Sequence, residues 1–498
     1  MIIKNIYKKT SIVTAFLLTM FVSSSCEDFL DVNTDPNVPA TASEFQLLPS
    51  AQVGYTYAFS NFYERGPATL VQQVMNGRWN YYDINGNIDN EWDFDLYGGA
   101  LADFELLIDQ ATEKGNLHYA AIAKLQKAYI FSILVDMHGE VPYFEALKAD
   151  EGVFNASLDD GAAIYDDLFN LIDEALGQLE QPAADGELMP ASDDLIYNGN
   201  IEKWIKMGNT LKLKMLNQIR LVDAGKATAG INQIISQGNF ITENADNFVF
   251  KFGTSTAPEN RHPHFQAEYA ASSKESYMSL FFHTLLTSKS DPRLKYYYYN
   301  QIATPAVLVK PAQDGGLGGA TDNTRTTYGI YPIGGKFDDG STGVTRATSG
   351  LQGAGVAPYM TASMSHFILA EAAATLNTTG DAKEYMEVGI RLSMDYVGSV
   401  SNKPIAEEEV EAYITSVSAN FNSNKVETIM NQKYIALFGM GYESYTDYRR
   451  TGFPVLSEAE APNGPYPIRI PISSNEIISN PNISSDVIDV TKPVFWDR

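Results

Sequence analysis

Aromatic and amide side chains alternate near the start of the chain, in the stretch Asn76-Gly77-Arg78-Trp79-Asn80-Tyr81-Tyr82-Asp83. Aromatic rings offer large apolar faces with few rotatable bonds to freeze, and amide, carboxylate and guanidinium groups hydrogen-bond to hydroxyls. Because Gly77 and Gly86 interrupt any helical pattern, the stretch is predicted to be an exposed loop that binds a ligand such as a sugar. The alternative is that the rings pack beneath the loop. The candidate ligand-binding residues here are Arg78, Trp79, Asn80, Tyr81 and Tyr82.

Four aromatic residues elsewhere are further candidates for ligand contact. Trp92 lies in Glu91-Trp92-Asp93-Phe94-Asp95, where packing in the core is favoured over a ligand role. Tyr296, Tyr328 and Tyr331 belong to a middle segment that is rich in glycine but too aromatic for a disordered chain. All four are kept as candidate ligand-binding residues, ranked behind the first stretch.

Metal and catalytic motifs are weak. Asp83-x-Asn85-x-Asn87 resembles the start of a calcium loop, but Gly86 stands at the fourth position and Phe94 at the twelfth, so an EF-hand is excluded and only a loose Ca²⁺ site stays open. His262-Pro263-His264 has no clear third ligand for zinc. The motifs of zinc proteases, serine hydrolases and phosphate loops are absent from the sequence. We predict no cofactor and no catalytic residue.

Composition and net charge exclude further kinds of site and ligand. The chain has 498 residues, a formal charge of −26 and one cysteine. A single thiol excludes an internal disulfide and any cysteine-based metal cluster. The excess of acids argues against nucleic acid, whose binding depends on Lys and Arg.

The one cysteine, Cys26, ends a segment that resembles a bacterial lipobox. Lysines at 4, 8 and 9 precede a short apolar run at 12–22, and three serines lead to Cys26. This is the layout of a secretory signal, and its apolar run is too short to span a bilayer. The resemblance implies that residues 1–25 are removed and that Cys26 is acylated, for example with palmitate, although Ser23 departs from the strictest pattern. Residues 26–43 are then a polar linker.

Helical periodicity dominates the rest of the chain. Apolar residues recur at spacings of three and four along 117–138, on two faces, which predicts a helix packed between neighbours and ended by Gly139. A second stripe runs along 201–219 and contains Trp204. We predict a mostly α-helical domain at 44–498, with an irregular insertion at about 240–358. The further helices are expected at 44–60, 96–112, 161–180, 361–376, 381–396 and 406–440.

Four passages together resemble the SusD/RagB family of outer-membrane nutrient-binding lipoproteins. They lie at 123–143, 194–214, 367–372 and 432–454, and include Met137-His138-Gly139, Tyr197-Asn198-Gly199-Asn200 with Lys203-Trp204, and Tyr448-Arg449-Arg450-Thr451-Gly452. The resemblance implies a tetratricopeptide-like scaffold of helical pairs with few short strands. It also implies a TonB-dependent β-barrel partner of the SusC type, which receives ligand captured at the cell exterior.

Most of these motif residues are interpreted as structural. Trp204 is expected in the core, and Arg449, Arg450, Asp447 and Glu443 in a partly buried network of ion pairs. The favoured function is the capture of oligosaccharides. Peptide capture in the same transport system, a secreted glycan hydrolase and a purely structural lid remain the alternatives.

Overall fold

The fold is built mainly from α-helices. The computed structural model describes residues 42–76, 88–270, 276–300, 308–309, 326–329, 353–419, 421–458, 464–484 and 489–497. The α-helices of these residues are α1 (Glu44–Phe59), α2 (Phe62–Leu70), α3 (Leu101–Lys114), α4 (Leu117–His138), α5 (Gly161–Leu179), α6 (Ile201–Gln218), α7 (Ala224–Gln237), α8 (Pro263–Phe265), α9 (Leu280–Ser288), α10 (Leu294–Tyr297), α11 (Ala362–Leu376), α12 (Ala382–Ser401), α13 (Glu407–Ser418), α14 (Lys425–Ala436), α15 (Gly441–Thr451) and α16 (Ser474–Ser479).

Short strands form three small sheets in the described part of the chain. β1, β3 and β5 form one sheet in that order, β2 pairs with β7, and β4 pairs with β6. The strands are β1 (Val74–Asn76), β2 (Phe248–Lys251), β3 (Ser276–Ser279), β4 (Tyr298–Asn300), β5 (Leu308–Val309), β6 (Thr326–Tyr328) and β7 (Val356–Met360).

Helix α4 lies at the centre of the first half. Nearly every one of its 22 residues is buried, and it packs against α3 and α5. Its C-terminus is set by Gly139, whose φ of +87° favours glycine. The prediction of a helix buried on two faces and ended by Gly139 is confirmed.

Helices joined by short connections pack against each other in pairs, as in α3 with α4, α6 with α7, and α11 with α12. In the second half, Phe367, Met386 and Ile390 form a core with Val410 and Ile414 of α13. The mostly helical architecture is therefore confirmed. The boundaries 1–25, 26–43 and 44–498 stay a prediction, because residues 1–41 lie outside the described part.

The structure differs from the expected elements in several places, and helix α7 is one that was not expected. The stretch 406–440 is two helices, α13 and α14, separated by a 3₁₀ turn at Phe421–Ser423, in a stretch of asparagine and serine, which disfavour the interior of a helix. The residues before α3 form a π-helical segment at Glu91–Ala100. Helix α2 was not predicted, because Gly66 and Pro67 argue against a helix.

The motif residues are structural, as expected for most of them. Trp204 is fully buried, and its Nε1 donates to Asp194 at 2.7 Å. Arg450 pairs with Asp447 and with Glu371. Glu443 pairs instead with Lys214 at 3.2 Å.

The positive charges around Glu371 lower the pKa of its carboxyl group. Burial alone would raise the pKa of its carboxyl, but Arg220, Arg450 and Lys433 outweigh burial and hold the pKa below its usual range. Arg449 departs from the expected network, because its guanidinium donates to the carbonyls of Asp136 and Ile468.

Candidate functional site

The first candidate stretch is framed by two described elements. Strand β1 ends at Asn76, the first residue of the stretch, which is buried in the sheet and not in an exposed loop, and the π-helical segment Glu91–Ala100 follows the stretch. Residues 77–87 lie outside the described residues, and so do Arg78, Trp79, Asn80, Tyr81, Tyr82 and the calcium-like motif at 83–87. The site is therefore described from the residues that flank this stretch and from the residues packed against them.

The three-stranded sheet brings three connecting segments to one end. β1 and β3 are antiparallel with Asn76 opposite Ser276, and β3 and β5 are parallel with Met278 opposite Leu308. The chain therefore leaves β1 at the same end of the sheet at which it enters β3 and β5. Segments 77–87, 271–275 and 301–307 are joined to this end, which we call the sheet end.

A set of buried charged residues lies directly behind the sheet end. Glu64 and Arg65 of α2 face His264 and Glu268, with 2.9 Å between Glu64 Oε2 and His264 Nε2 and 3.9 Å between Arg65 Nη2 and Glu268 Oε1. The backbone N–H of Ser276 donates to Glu268 Oε1 at 3.0 Å. These four side chains, the buried polar cluster, are each less than 5% exposed.

The buried polar cluster explains how the sheet end is held. Charges are costly to remove from water unless they are paired and hydrogen-bonded. Glu268 supplies such a bond to the first residue of β3, and Asn76 Nδ2 donates to Ser276 Oγ at 3.3 Å. The last residue of β1 and the first residue of β3 are thus tied to each other and, through Glu268, to the cluster.

A second anchor follows the aromatic stretch at Trp92. Its side chain is 1% exposed, and its ring lies 5.2 Å from the ring of His138, edge to face. His138 joins three elements, because Nε2 lies 3.0 Å from the Tyr63 hydroxyl and Nδ1 lies 2.8 Å from the Ile470 carbonyl. The chain is therefore fixed on both sides of 77–87.

The protonation of His138 follows from its surroundings. Burial lowers the pKa of His138 to about 3, so the imidazole is neutral at neutral pH. A carbonyl oxygen can only accept, so Nδ1 carries the proton toward Ile470 and Nε2 accepts from the Tyr63 hydroxyl. His138 is a fixed structural link and not a proton carrier.

The structure corrects two of the predicted ligand contacts. Trp92 is covered by His138 and Tyr97, so the core role favoured above replaces the ligand role. Tyr296 is also buried, and its hydroxyl donates to the Lys403 carbonyl at 2.7 Å. Neither ring offers a face to a ligand in this structure.

The remaining middle candidates are only partly placed. The backbone of Tyr328 pairs with Tyr298 between β6 and β4, and Tyr331 lies outside the described residues.

The members of the buried polar cluster were missed as site residues. The available signals were an acid and a base within the apolar sequence Phe62-Tyr63-Glu64-Arg65, and the pair His262-Pro263-His264. His262 is buried and its pKa lies well below the usual value, because of burial and then of His264. Among the residues that the structure describes, no three His, Cys, Asp or Glu side chains are placed to hold a metal ion.

The surface beside this anchor is acidic. Asp89 and Asp93 accept hydrogen bonds from the backbone of Ser474 and the side chain of Asn475, at 2.8 and 2.7 Å. Burial raises the pKa of Asp95 from 3.8 to about 6. The C-terminal segment thus holds the residues that follow the aromatic stretch.

None of the helices in the described part of the chain is both long enough and apolar enough to cross a membrane.

Comparison with known proteins places the chain among outer-membrane binding proteins. The profile of a family named SusD-like and described as "Starch-binding associating with outer membrane" matches residues 36–471. A comparison with curated proteins gives no match.

Solved structures share the fold. A SusD homologue from Parabacteroides distasonis has a TM-score of 0.74 at 20% identity, covering 92% of this chain and 98% of its own. A SusD/RagB family protein from Bacteroides thetaiotaomicron has a TM-score of 0.72 at 19% identity, over 92% and 99%. A chitin-binding SusD homologue from Flavobacterium johnsoniae has a TM-score of 0.70 at 19% identity, over 91% and 98%.

Proposed function

The chain belongs to the SusD-like family of starch-binding proteins that associate with the outer membrane, and from this premise we propose that it captures oligosaccharides at the sheet end. It passes them to a TonB-dependent β-barrel of the SusC type. In this proposal the protein binds and delivers its ligand and does not cleave it.

The observation that carries the proposal is the topology of the sheet end. The stretch 77–87, with its tryptophan, two tyrosines and three amides, is joined to the same end of a sheet as two segments of the irregular middle. Stacking rings and hydrogen-bonding amides from neighbouring segments are the composition that a sugar chain requires. The buried polar cluster and Trp92 fix the segment at both ends.

Glycans are preferred over peptides as the ligand. The family description names starch, and two structural relatives are named as chitin-binding proteins. Starch and chitin are uncharged polymers. A chain of net charge −26 would repel an acidic ligand from the same site, so its charge favours an uncharged ligand there.

The proposed location is the outer membrane, with the protein facing the exterior. Acylation of Cys26 would supply the anchor, since two or three acyl chains hold durably where one holds only marginally. The linker 26–43 would then separate the domain from the lipid surface.

The binding test uses isothermal titration with chito-, malto- and xylo-oligosaccharides. We expect saturable binding of at least one series, and loss of about tenfold or more in affinity in the double variant Trp79→Ala, Tyr82→Ala, since each stacked ring is worth on the order of 1 kcal/mol or more. Phe154→Ala removes an aromatic ring that is 77% exposed on another loop and serves as the control. Unchanged affinity in the double variant would reject the site.

The same titrations separate binding from hydrolysis. Saturable heat without new reducing ends supports a binding protein. The appearance of reducing ends in proportion to protein concentration would show a hydrolase instead. Preferential binding of peptides from a parallel panel would replace the glycan with a peptide ligand.

A further inference from the structure

A cavity lies beside β2, in a different sheet from the one that forms the sheet end. It has a volume of about 700 Å³ and is bounded by the start of α6, by β2, by the entry to β7 and by the end of α12. Three aromatic side chains line it, Tyr197, Phe252 and Tyr396. Its volume lies within the range of roughly 300–1,000 Å³ that small-molecule sites occupy.

The charge of this cavity is opposite to that of the chain. Its described lining includes Lys203 and Lys251 and no Asp or Glu, although acids outnumber bases by 61 to 35 in the sequence. Lys251 is exposed and makes no ion pair within the described residues. Lys203 Nζ lies 3.9 Å from Asp246, which is already bound by Lys206 at 2.8 Å. Asp246 and the Ala245 carbonyl thus hold the Lys203 ammonium group, and Lys251 is the one lysine of the described lining whose charge is uncompensated.

A neighbouring groove shows that an unpaired lysine is not a general feature of the grooves between helices. The groove between α5, α6 and α7 has a similar volume of about 750 Å³, but its lining includes Asp173 and Glu180 as well as Lys212 and Lys226. Lys212 pairs with Asp173 and Lys226 with Asp166. Both of its lysines are paired, whereas Lys251 of the cavity beside β2 makes no ion pair within the described residues.

We propose that the cavity beside β2 binds a sugar acid. The carboxylate of the ligand would pair with Lys251, and its ring would lie against the aromatic lining. The exposed hydroxyl of Ser399, also on the lining, is placed to bind ring hydroxyls. A charge-assisted bond to an ammonium group is stronger than a bond between neutral groups, so the anion would define the specificity.

This second site is separate from glycan capture at the sheet end. None of the described residues that line it belongs to β1, β3, β5 or the buried polar cluster. It would add acidic sugars to the ligands of the protein, and it can exist even if the sheet end binds a peptide.

The test is isothermal titration of the full chain with digalacturonate at low salt. We expect saturable binding that is at least about tenfold weaker for its dimethyl ester, which keeps the rings and removes the charge. Lys251→Gln should weaken digalacturonate binding about tenfold, and Ser399→Trp should block the cavity without changing the circular dichroism spectrum. Lys425→Gln is the matched control, because Lys425 is also exposed and makes no ion pair within the described residues.

Four results would overturn the proposal, three of them from the titrations with the acid and its ester. These three are equal binding of the acid and its ester, wild-type affinity in Lys251→Gln, and no binding of digalacturonate. The titration with digalacturonate is then repeated in sodium sulfate at matched ionic strength. Displacement of the sugar by sulfate at equal concentration would show a general anion site and would reject the assignment to a sugar acid. The double variant Trp79→Ala, Tyr82→Ala should keep digalacturonate affinity, which separates this site from the sheet end.

Discussion

At the scale of single residues, the buried polar cluster joins positions that are some 200 residues apart in the chain. Glu64 meets His264, and Arg65 meets Glu268. Such pairs leave no periodic pattern in the sequence, so they could not be predicted, and the assignment of the stretch 76–83 as a ligand site stays a prediction. Trp92 shows the same limit, because its sequence context does not reveal that His138 and Tyr97 cover its ring.

Glu268→Gln tests whether the cluster serves the site. The variant keeps an oxygen to accept from Ser276 but removes the charge opposite Arg65, and we expect a loss of about 1–3 kcal/mol in stability. We also expect glycan affinity about fivefold weaker by titration in the folded variant, because the entry to β3 is less firmly held. Glu259→Gln is the control, since it breaks an exposed pair with Arg261 and should change stability by less than about 1 kcal/mol. Unchanged glycan affinity would leave the cluster with a role in the fold alone.

The raised pKa of Asp95 predicts that the stability of the folded chain depends on pH. Its pKa in the folded chain is about 6, above the ordinary value of 3.8, so the folded chain binds this proton more tightly than the unfolded chain. Its contribution therefore falls as the pH rises from about 4 through about 6. Asp95→Asn should raise the melting temperature at pH 7.5 and leave it unchanged at about pH 4. The exposed Asp185→Asn is the control, and an equal effect of Asp95→Asn at both pH values would contradict the assignment.

At the scale of elements, the helices that could be predicted are those with an uninterrupted apolar period. Helices α4 and α6 follow from their stripes, and Gly139 ends α4 as expected. Helix α2 could not be predicted, because Gly66 and Pro67 disfavour a helix and only tertiary packing overrides them. Its residues are nevertheless all buried, and it carries half of the buried polar cluster.

Gly441 tests the packing of α2 against α15. A Cβ atom at this position would collide with the carbonyl oxygen of Glu64 and with Ala68, so only glycine allows the two helices to approach this closely. Gly441→Ala should lower the free energy of unfolding by about 1–3 kcal/mol in denaturant titrations.

Gly177→Ala is the matched control within a helix. A Cβ atom at Gly177 in α5 would meet nothing within 4 Å. This substitution should therefore be neutral or stabilise the protein by up to about 1 kcal/mol, because alanine favours the helix. A destabilised Gly177→Ala together with a neutral Gly441→Ala would contradict the packing described here.

At the scale of the whole molecule, the mostly helical domain is observed, whereas the ligand site at the sheet end and the lipid anchor at Cys26 are proposals. The fold is shared with structures of about one-fifth sequence identity, so this fold tolerates extensive change in sequence. Fold and family are therefore accessible from the sequence, whereas the ligand must be measured.

Cys26→Ser tests the anchor. We expect the wild-type protein in the outer-membrane fraction, together with a large β-barrel on mild detergent extraction, and the variant in the soluble fraction. Ser25→Ala keeps a small residue before the cysteine and should stay with the membrane. Mass spectrometry of the mature wild-type protein that found an unmodified thiol at Cys26 would rule out the lipid anchor.

Hydrogen–deuterium exchange with and without bound glycan tests the central claim most directly, because it locates the ligand on the wild-type chain. The titration panel supplies the tightest-binding oligosaccharide as the probe. The account predicts protection concentrated in peptides covering 77–87 and in those covering 271–275 or 301–307, with α5, α6 and α7 unchanged. Protection confined to other segments, with 77–87 exchanging as in the free protein, would contradict the assignment of the sheet end as the ligand site.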